Sequence, residues 1–257
     1  MSGLEGKRVV VTAGAAGIGR TVAKAFVDAG ARVHVCDVDS AAIEAFRADL
    51  PSAVANVADV TDEAAVAKFF GTVGDGLGGL DILVNNAGIA GPAAPVEAMD
   101  YAGWQACLDI NLGGTFLATR SAIPLLRAAG GGSIVNMSST AGLFGFPNRS
   151  PYCVAKWGVI GFTKTLAMEL GKDGIRANAI CPGAVEGDRM ERVLAAESAA
   201  SGRSIDDIRR AYVDCTSMKT WVTAQDIADA ILFLCSDQAA RISGLVLPVD
   251  GHSESIM

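Results

Sequence analysis

The sequence has little positive charge, and its cations are not clustered. The 257 residues include 21 Lys and Arg against 28 Asp and Glu, which gives a net charge of −7. Nucleic acids and anionic membrane surfaces are bound through a concentrated cationic face, and the basic residues here are scattered along the chain. We therefore expect neither nucleic acid nor a membrane among the partners of this protein.

Long apolar runs are also missing. No run approaches the roughly 20 residues that a membrane-spanning helix needs. The opening residues MSGLEGKRVV contain neither the apolar region nor the small-residue cleavage site of a secretory signal peptide. These two absences predict a cytoplasmic protein.

Six cysteines and two histidines are present, but they form no metal-binding pattern. The cysteines stand singly, without a C-x-x-C pair or a histidine cluster. Because free cysteine is commonly a buried core residue, we interpret them as reduced thiols. No metal site is expected.

The chain shows no marked domain boundary. It has eight prolines, and it lacks a Gly, Ser or Pro linker, an internal repeat and a low-complexity run. Folds of the α/β class commonly form one domain at about this length. We predict a single domain over residues 1–257.

Short Val- and Ile-rich runs alternate with helical patterns. The runs are RVVVTAG, ARVHVCD, AVANVADV, LDILVNNAG, GSIVNMSS, IRANAICPG and LVLPVDG. Their continuous apolar character predicts an α/β fold of the doubly wound Rossmann type, a three-layer α/β/α arrangement around a parallel sheet. A polar, helical-looking segment at 186–221 interrupts this rhythm after a strand end, where such sheets bind ligands, and it is a candidate substrate lid.

Glycines lie between the first strand and the first helix, in VVVTAGAAGIGRTVAKAF. Gly14, Gly17 and Gly19 would let the backbone approach a pyrophosphate at the helix N-terminus. Glycine spacing alone is weak evidence, but the next strand ends at Asp37, where an acid can bind an adenosine ribose. A helix cap or turn residue is the alternative for Asp37.

Asp37 also discriminates between the two nicotinamide cofactors. A 2′-phosphate beside this carboxylate would meet a repulsion of about 4 kcal/mol per unit charge at roughly 4 Å and an effective dielectric constant of about 20. Neither Ala16 nor Val38 supplies a cation that would offset it. The sequence therefore predicts NAD rather than NADP.

The stretch SPYCVAKWG places Tyr152 and Lys156 at positions i and i+4 of a predicted helix, so that both face the same way. Holding a tyrosine as phenolate at neutral pH costs roughly 4 kcal/mol. A lysine cation at about 4 Å supplies attraction of that order before desolvation is subtracted. The pair suits proton transfer, and two polar side chains without a catalytic role are the alternative.

The order and spacing of these motifs resemble those of the short-chain dehydrogenase/reductase family over essentially the whole chain. The motifs are TAGAAGIG from Thr12, ADV at 58–60, NNAG at 85–88, Asn111 in DINLGGTF, NMSS ending at Ser139, YCVAK at 152–156 and PGAV at 182–185. The resemblance implies hydride transfer between a nicotinamide cofactor and an alcohol or ketone. It also implies a homodimer or homotetramer, with interfaces at 101–129, at 152–171 and at the chain end 245–257.

The resemblance assigns a role to each matching residue. Tyr152 would exchange a proton with the substrate, Lys156 would lower its pKa and hold the nicotinamide ribose, and Ser139 would bind the substrate oxygen. Asn111 would help to hold a water, and Ser138 is the competing serine. The implied cofactor residues are Gly14, Gly17, Ile18, Gly19, Asp37, Asp59, Val60, Asn86, Tyr152, Lys156 and Val185.

Two positions depart from the family pattern. Ala13 stands where the first glycine is usual, so we expect Gly14 to be the conformationally permissive residue. Gly187 stands where a threonine often binds the nicotinamide carboxamide, which leaves that contact open. Structural alternatives are a capping role for Asp59 at the helix that starts near Asp62, and sheet support by NNAG.

The substrate is indicated less clearly. Arg149, just before the tyrosine, and Arg189 and Arg192, in the candidate lid, can bind an anionic or polyhydroxyl substrate, since the planar guanidinium binds carboxylates through two hydrogen bonds. Solvated surface arginines are the alternative. We expect a small polar secondary alcohol, such as a sugar, sugar acid or hydroxy acid. Apolar residues within 143–147 and Trp157 keep a steroid or terpenoid alcohol open.

Two other classes of function remain open. A carbonyl or 3-oxoacyl reductase would work in the reductive direction, but reductases of this family usually draw on NADPH, which Asp37 disfavours. A non-enzymatic NAD-binding regulator is the other alternative, because fold does not imply function. The set of Asn111, Ser139, Tyr152 and Lys156 favours an enzyme.

Overall fold

The structure is a computed structural model that describes residues 2–254. Its strands form one parallel sheet of seven strands in the order β3-β2-β1-β4-β5-β6-β7. The strands are β1 (Arg8–Thr12), β2 (Arg32–Asp37), β3 (Val54–Val57), β4 (Ile82–Asn85), β5 (Gly132–Met137), β6 (Ile175–Pro182) and β7 (Val246–Val249). The predicted doubly wound parallel sheet is confirmed.

Helices follow the strands along the chain. They are α1 (Gly17–Asp28), α2 (Ser40–Asp49), α3 (Glu63–Leu77), α4 (Tyr101–Leu108), α5 (Gly114–Ala128), α6 (Ser150–Leu170), α7 (Asp188–Ser201), α8 (Ile205–Asp214) and α9 (Ala224–Cys235). A π-helical turn, Asp109–Gly113, joins α4 to α5, so that the helix expected at 101–129 is continuous but carries a bulge. Within residues 2–254, no helix is both long and apolar enough to span a membrane.

The helices cover both faces of the sheet. In β1, Val9 and Val11 belong to the core on one face and Val10 to the core on the other, and all three are fully buried. Alternate residues of a strand point to opposite faces, so a continuous apolar run needs a cover on each side. Helices α1, α2 and α9 cover the first face, and α3, α5 and α6 cover the second. All six cysteines are free.

The order in which the strands are added to the sheet reverses between β1 and β4, and open sheets bind ligands at the carboxyl ends of the strands beside this point. A buried ladder of hydrogen bonds fixes that edge. Asn85 Nδ2 donates to Asn136 Oδ1 and to Thr119 Oγ1, both at 2.8 Å, and Asn136 Nδ2 donates to Thr163 Oγ1 at 2.9 Å. The first asparagine of NNAG therefore supports the sheet, as the structural alternative expected.

The segment 186–221 forms a helical hairpin outside the sheet. Helices α7 and α8 are joined by Arg209, whose Nη2 lies 2.8 Å and 2.6 Å from the two carboxylate oxygens of Glu191. A parallel bridge between Val185 and Val222 brings the two ends of the segment together. The polar interruption in the sequence thus corresponds to a folded unit at the carboxyl edge of the sheet, where the substrate lid was expected.

Candidate active site

The glycine-rich turn joins β1 to α1 at the carboxyl edge of the sheet. Ala13 has a φ of 48°, in the left-handed region, whereas Gly14 does not. The expectation that Gly14 is the permissive residue is therefore wrong, because Ala13 itself takes the left-handed conformation. Gly14 is required for packing, since a Cβ at this position would lie 2.7 Å from the side chain of Val35.

The rest of the turn leaves room for an anion. A Cβ on Gly19 would collide with the carbonyl oxygen of Ala13 and lie 2.6 Å from Asn86 Nδ2, whereas Gly17, with a φ of 52°, faces open space. Ile18 packs against the core. In the described chain α1 has no side-chain cap and no acid in its first turn, so its N–H groups remain available to a ligand. The turn fits a pyrophosphate.

Asn86 ties the end of β4 to this turn. Its Nδ2 donates to the carbonyl oxygens of Thr12 at 3.1 Å and Ala13 at 3.0 Å. In return, Thr12 Oγ1 accepts from the backbone N–H groups of Asn86 at 3.0 Å and Ala87 at 3.1 Å. The sequence analysis assigned no role to Thr12. Its position directly before the glycine-rich turn is the feature from which a supporting role could have been predicted.

The two acids predicted to bind the adenosine half follow β2 and β3. Asp37 Oδ2 accepts from the N–H of Ala15 at 3.2 Å, which holds the carboxylate against the glycine-rich turn. Helix α2 is capped by Asp39 and helix α3 by Asp62. Asp59 instead closes a turn within its own loop. A helix cap is therefore wrong for both acids. The turn half of the alternative for Asp37 agrees with the structure, since Asp37 Oδ1 accepts from the N–H of Asp39 at 3.2 Å.

Val60 and Val185, the remaining predicted cofactor residues, follow β3 and β6. Val60 is buried against Gly114 of α5, and Val185 pairs with Val222 at the base of the helical hairpin 186–221. Gly187, which precedes α7, has φ 131° and ψ 175°, a combination that essentially only glycine adopts. A threonine would be strained at this position, so the backbone explains why the usual family residue is absent.

Tyr152 and Lys156 lie one turn apart at the beginning of α6. The helix starts at Ser150 with Pro151 in its first turn, where the fixed φ of proline suits a helix and its missing N–H costs nothing. Lys156 is buried, and its Nζ lies 5.6 Å from the centre of the Tyr152 ring. The same Nζ donates to the carbonyl oxygen of Met137 in β5 at 2.8 Å, which holds the cation beside the phenol.

The surroundings of Tyr152 shift its acidity. Burial raises the pKa of Tyr152, and the Lys156 cation lowers it; Arg189, a side-chain hydrogen bond with Ser139 and the Arg149 cation lower the pKa further. The net pKa of Tyr152 lies below its ordinary value. Burial lowers the pKa of Lys156, and the attraction of Tyr152 raises it; the net pKa of Lys156 lies below its ordinary value. Both shifts favour proton exchange nearer to neutral pH.

Ser139, rather than Ser138, faces the phenol. The Ser139 side chain helps to lower the pKa of Tyr152, and its Oγ accepts from the N–H of Ala141 at 3.1 Å. Ser138 is buried, and its Oγ donates to the carbonyl oxygen of Lys156 at 2.9 Å. Ser138 therefore supports helix α6, and the preference for Ser139 drawn from the spacing agrees with these contacts.

Asn111 lies in the π-helical turn and is fully buried. Its Nδ2 donates to the carbonyl oxygens of Cys107 at 2.9 Å and Ile89 at 3.1 Å, which fixes the amide. Its Oδ1 has no hydrogen-bond partner among residues 2–254. A Cβ on Gly88 would lie 2.5 Å from this oxygen and 3.4 Å from Lys156 Nζ, so both polar groups border the same glycine.

The three arginines predicted near the substrate differ in their surroundings. Arg149 is only 8% exposed, and its guanidinium carbon lies 5.6 Å from the centre of the Tyr152 ring, so the solvated alternative is wrong for this residue. The exposed Arg189 lies 6.0 Å from the same ring and donates to the carbonyl oxygen of Gly88 at 3.4 Å. Arg192 is exposed and has none of these contacts in the described chain.

A glycine-rich turn at a helix N-terminus, beside a serine, tyrosine and lysine at one strand edge, defines an oxidoreductase that uses a nicotinamide cofactor. Residues 13–251 match the family model described as enoyl-(acyl carrier protein) reductase. The chain belongs to the short-chain dehydrogenase/reductase family.

Two curated relatives show the range of this similarity. Levodione reductase of Leifsonia aquatica is 34% identical, over 95% of this chain and 92% of its own length. D-threitol dehydrogenase of Mycolicibacterium smegmatis is 37% identical, over 96% of this chain and 93% of its own length. Both are similar along nearly the whole chain, as the sequence resemblance expected.

Two solved structures of similar fold contain different cofactors. NAD+-bound xylitol dehydrogenase has a TM-score of 0.93 and 28% identity, and the match covers 97% of this chain and 99% of that one. A variant actinorhodin polyketide ketoreductase with NADPH has a TM-score of 0.92 and 29% identity, with 98% of both chains covered. The shared fold therefore does not decide between NAD and NADP.

Replacing Ala13 by glycine should stabilise the protein. Left-handed backbone costs an alanine about 1–2 kcal/mol, and the greater freedom of glycine in the unfolded chain offsets about 0.4–1 kcal/mol of the gain. We expect the free energy of unfolding, measured by urea denaturation, to rise by about 0.5–1 kcal/mol.

Ala16→Gly is the matched control, because Ala16 has an extended φ of −141° and no strain to relieve. This second variant should lose stability through the unfolded-state entropy alone. A loss of stability in both variants would contradict strain at Ala13.

Proposed function

We propose that this protein interconverts a small polar secondary alcohol and its ketone, with NAD as cofactor and Tyr152 as the acid/base. The observation that carries the proposal is the arrangement of Lys156 and Ser139 around the Tyr152 phenol, whose pKa is lowered. D-threitol dehydrogenase, a relative named for a polyhydroxyl substrate, supports the choice of a polar alcohol.

In the oxidative direction the substrate hydroxyl gives its proton to the Tyr152 phenolate oxygen. Lys156 stabilises the phenolate and is assigned to the nicotinamide ribose, and the Ser139 hydroxyl donates a hydrogen bond to the substrate oxygen. The chemistry that NAD would supply when bound is acceptance of a hydride from the carbinol carbon. In the reverse direction Tyr152 returns the proton to the ketone oxygen.

Asn111 is assigned to the route by which the proton reaches solvent. Its Oδ1 has no partner in the described chain and borders Gly88 together with Lys156 Nζ. A water that accepts from the lysine and donates to the amide oxygen would satisfy both groups. This arrangement lets a proton taken up at Tyr152 pass outward past Lys156.

The cofactor is assigned to the glycine-rich turn and the adjoining strand ends. The uncapped N-terminus of α1 and the open face of Gly17 support a pyrophosphate there. The negative charge of Asp37 supports NAD over NADP, and Arg20, a cation of α1, is already paired with Asp49. The assigned residues are Gly14, Gly17, Ile18, Gly19, Asp37, Asp59, Val60, Asn86, Tyr152, Lys156 and Val185.

Two other enzymatic functions are alternatives, and only the first has support from the comparisons. The name of the matching family model and the NADPH-bound ketoreductase favour a carbonyl or 3-oxoacyl reductase, against which the charge of Asp37 stands. A steroid or terpenoid alcohol needs an apolar wall, but Trp157 is half exposed and lies five residues beyond Tyr152, on another face of α6. The lowered pKa of Tyr152 is not explained if the protein is a regulator that catalyses no reaction.

The organisation of the protein is also proposed. We assign residues 1–257 to one domain whose segment 186–221 covers the substrate, and we expect a homodimer or homotetramer. The exposed apolar residues Phe116, Trp157 and Met168 on α5 and α6 support an interface on these helices. A cytoplasmic location stays a prediction from the sequence.

Tyr152→Phe should abolish turnover and spare cofactor binding. Removing the hydroxyl removes the proton acceptor, and acid/base catalysis typically contributes about 10²- to 10⁴-fold to the rate. We expect kcat for NAD reduction to fall by that factor on any alcohol that the wild type oxidises. The Kd for NAD should change far less than kcat, because the phenylalanine ring and the other assigned cofactor residues remain. Tyr101→Phe removes the same atom from a residue that is 75% exposed and should behave as wild type. Turnover retained by Tyr152→Phe would refute the assignment.

The rate of alcohol oxidation should rise with pH. The active form is the phenolate, so activity is gained as pH rises through the pKa of Tyr152, and the midpoint should lie below the ordinary tyrosine value of about 10. Lys156→Met removes the neighbouring cation and should move the midpoint of the kcat/KM profile upward. The exposed Lys164, further along α6, provides the control variant Lys164→Met. An unmoved midpoint in Lys156→Met would show that Lys156 does not tune the phenol.

Asp37→Asn should relax the preference for NAD. The amide keeps the shape of the side chain and an acceptor for the Ala15 N–H, but it removes the charge that repels a 2′-phosphate. We expect the ratio of kcat/KM with NADP to that with NAD to rise by about 10- to 100-fold. Asp39→Asn removes a neighbouring charge that caps α2 and should change the ratio little. A wild-type preference for NADP would overturn the cofactor assignment.

A further inference from the structure

Among the described residues, Arg149 is a buried cation without a counter-ion. The residue is 8% exposed, and its Nε is enclosed without a hydrogen-bond partner in this part of the chain. No ion pair within residues 2–254 includes it. Removing a guanidinium from water without pairing it is costly, so a fold that keeps one needs a compensating partner.

Two aromatic rings hold this guanidinium but do not satisfy its donors. Its central carbon lies 5.8 Å from the centre of the Phe146 ring and 5.6 Å from that of Tyr152. A cation–π contact stabilises the positive charge but supplies no hydrogen-bond acceptor for the five N–H groups at the edge of the guanidinium. A planar fork of donors in this position matches the two oxygens of a carboxylate.

Positive charge accumulates around the same phenol. Arg189 reaches Tyr152 from helix α7, and no ion pair of the described chain includes it either, while Lys156 approaches from one turn along α6. The chain as a whole has a net charge of −7, so this local excess of cations does not follow from composition. Three cations around one proposed acid/base create a positive electrostatic environment that would attract a bound anion.

Two acids of the helical hairpin 186–221 are engaged elsewhere. Glu191 is paired with Arg209, and Glu197 accepts a hydrogen bond from the Tyr212 hydroxyl at 2.6 Å. These contacts fasten α7 to α8. Neither of these two carboxylates pairs with Arg149, and no ion pair within residues 2–254 joins Arg149 to any other acid. A bound ligand is a source of the anion that Arg149 lacks.

We propose that the substrate carries an anionic group a few bonds from its carbinol carbon, and that Arg149 binds this group through two hydrogen bonds while Arg189 covers it from the lid. The proposal rests on the proposed function, because Arg149 lies against the proposed acid/base. It narrows the substrate from polar alcohols in general to hydroxy acids and related hydroxylated anions. Neutral sugars are disfavoured.

Binding of small acids and of their neutral amides tests the proposal without requiring turnover. The NAD-bound protein is titrated calorimetrically with butanoate, cyclohexanecarboxylate and ethanesulfonate, and with butanamide and cyclohexanecarboxamide. We expect wild type to bind at least one of the anions and to prefer it to its amide. Arg149→Met should weaken that binding by about 10- to 100-fold, and Arg149→Lys, which keeps the charge but not the fork, by less.

Arg241→Met is the matched control. Arg241 is exposed and lines a cavity with Lys7 and Asp81, which lie at the opposite edge of the sheet, so the variant loses the same charge far from Tyr152. It should bind the acids as wild type does. No binding of any anion, equal binding of acids and amides, or unchanged binding in Arg149→Met overturns the proposal.

The melting temperature without ligand separates an anchor from a structural residue. Arg149→Met removes an unpaired buried charge, so the melting temperature of the unliganded variant should equal or exceed that of wild type. A marked fall would identify Arg149 as structural and would overturn the proposal.

Tyr152→Phe distinguishes this proposal from the proposed function. It should bind the anions as wild type does, because it leaves Arg149 in place. If Tyr152→Phe is inactive and Arg149→Met binds the anions normally, only the anion proposal fails. If Tyr152→Phe remains active and Arg149→Met loses anion binding, only the proposed mechanism fails.

Discussion

The burial of the Lys156 ammonium beside Tyr152 is the interaction on which the site depends. A buried ammonium is tolerated only where hydrogen bonds replace water, and here Met137 supplies a carbonyl oxygen from the end of β5. Ser138, the residue that follows β5, donates a hydrogen bond to the backbone carbonyl oxygen of the same lysine. The pKa of Tyr152 is therefore lowered by a cation whose position is set by the central sheet. The asparagine ladder fixes this edge of the sheet and so helps to position Lys156.

Charge is distributed at two length scales in this protein. Its net charge of −7 repels an anionic cofactor or substrate at long range, but that field is screened beyond about 8 Å at physiological ionic strength. The uncapped N-terminus of α1 and the cations around Tyr152 act at contact distance, where screening is weak. Binding of anions by an acidic protein then depends on a few buried groups, and removing one of them has a larger effect than changing several surface charges.

Local rules made much of the fold and of the candidate site predictable from sequence. Continuous Val and Ile runs identify buried parallel strands, and the i, i+4 spacing alone brings Tyr152 and Lys156 to one face of α6. Properties set by distant segments were not predictable. Arg149 is buried beside the rings of Phe146 and Tyr152, which its position in the sequence does not reveal. The left-handed backbone of Ala13 accompanies close packing of the turn against Val35 and Asn86, so the nearby Gly14 was chosen in error.

Gly187 and Arg189 lie close together at the start of the helical hairpin 186–221. Gly187 has a backbone conformation that a threonine does not adopt without strain, so this position does not offer the side-chain hydroxyl of the family pattern. The same conformation sets the direction in which α7 leaves β6, and two residues later Arg189 contacts the Gly88 carbonyl oxygen and the Tyr152 ring. The segment 186–221 thus begins with a glycine that offers no side-chain hydroxyl, and two residues later a cation lies beside the Tyr152 ring. If Arg149 and Arg189 bind substrate as proposed, this cation adds to the preference for an anionic substrate.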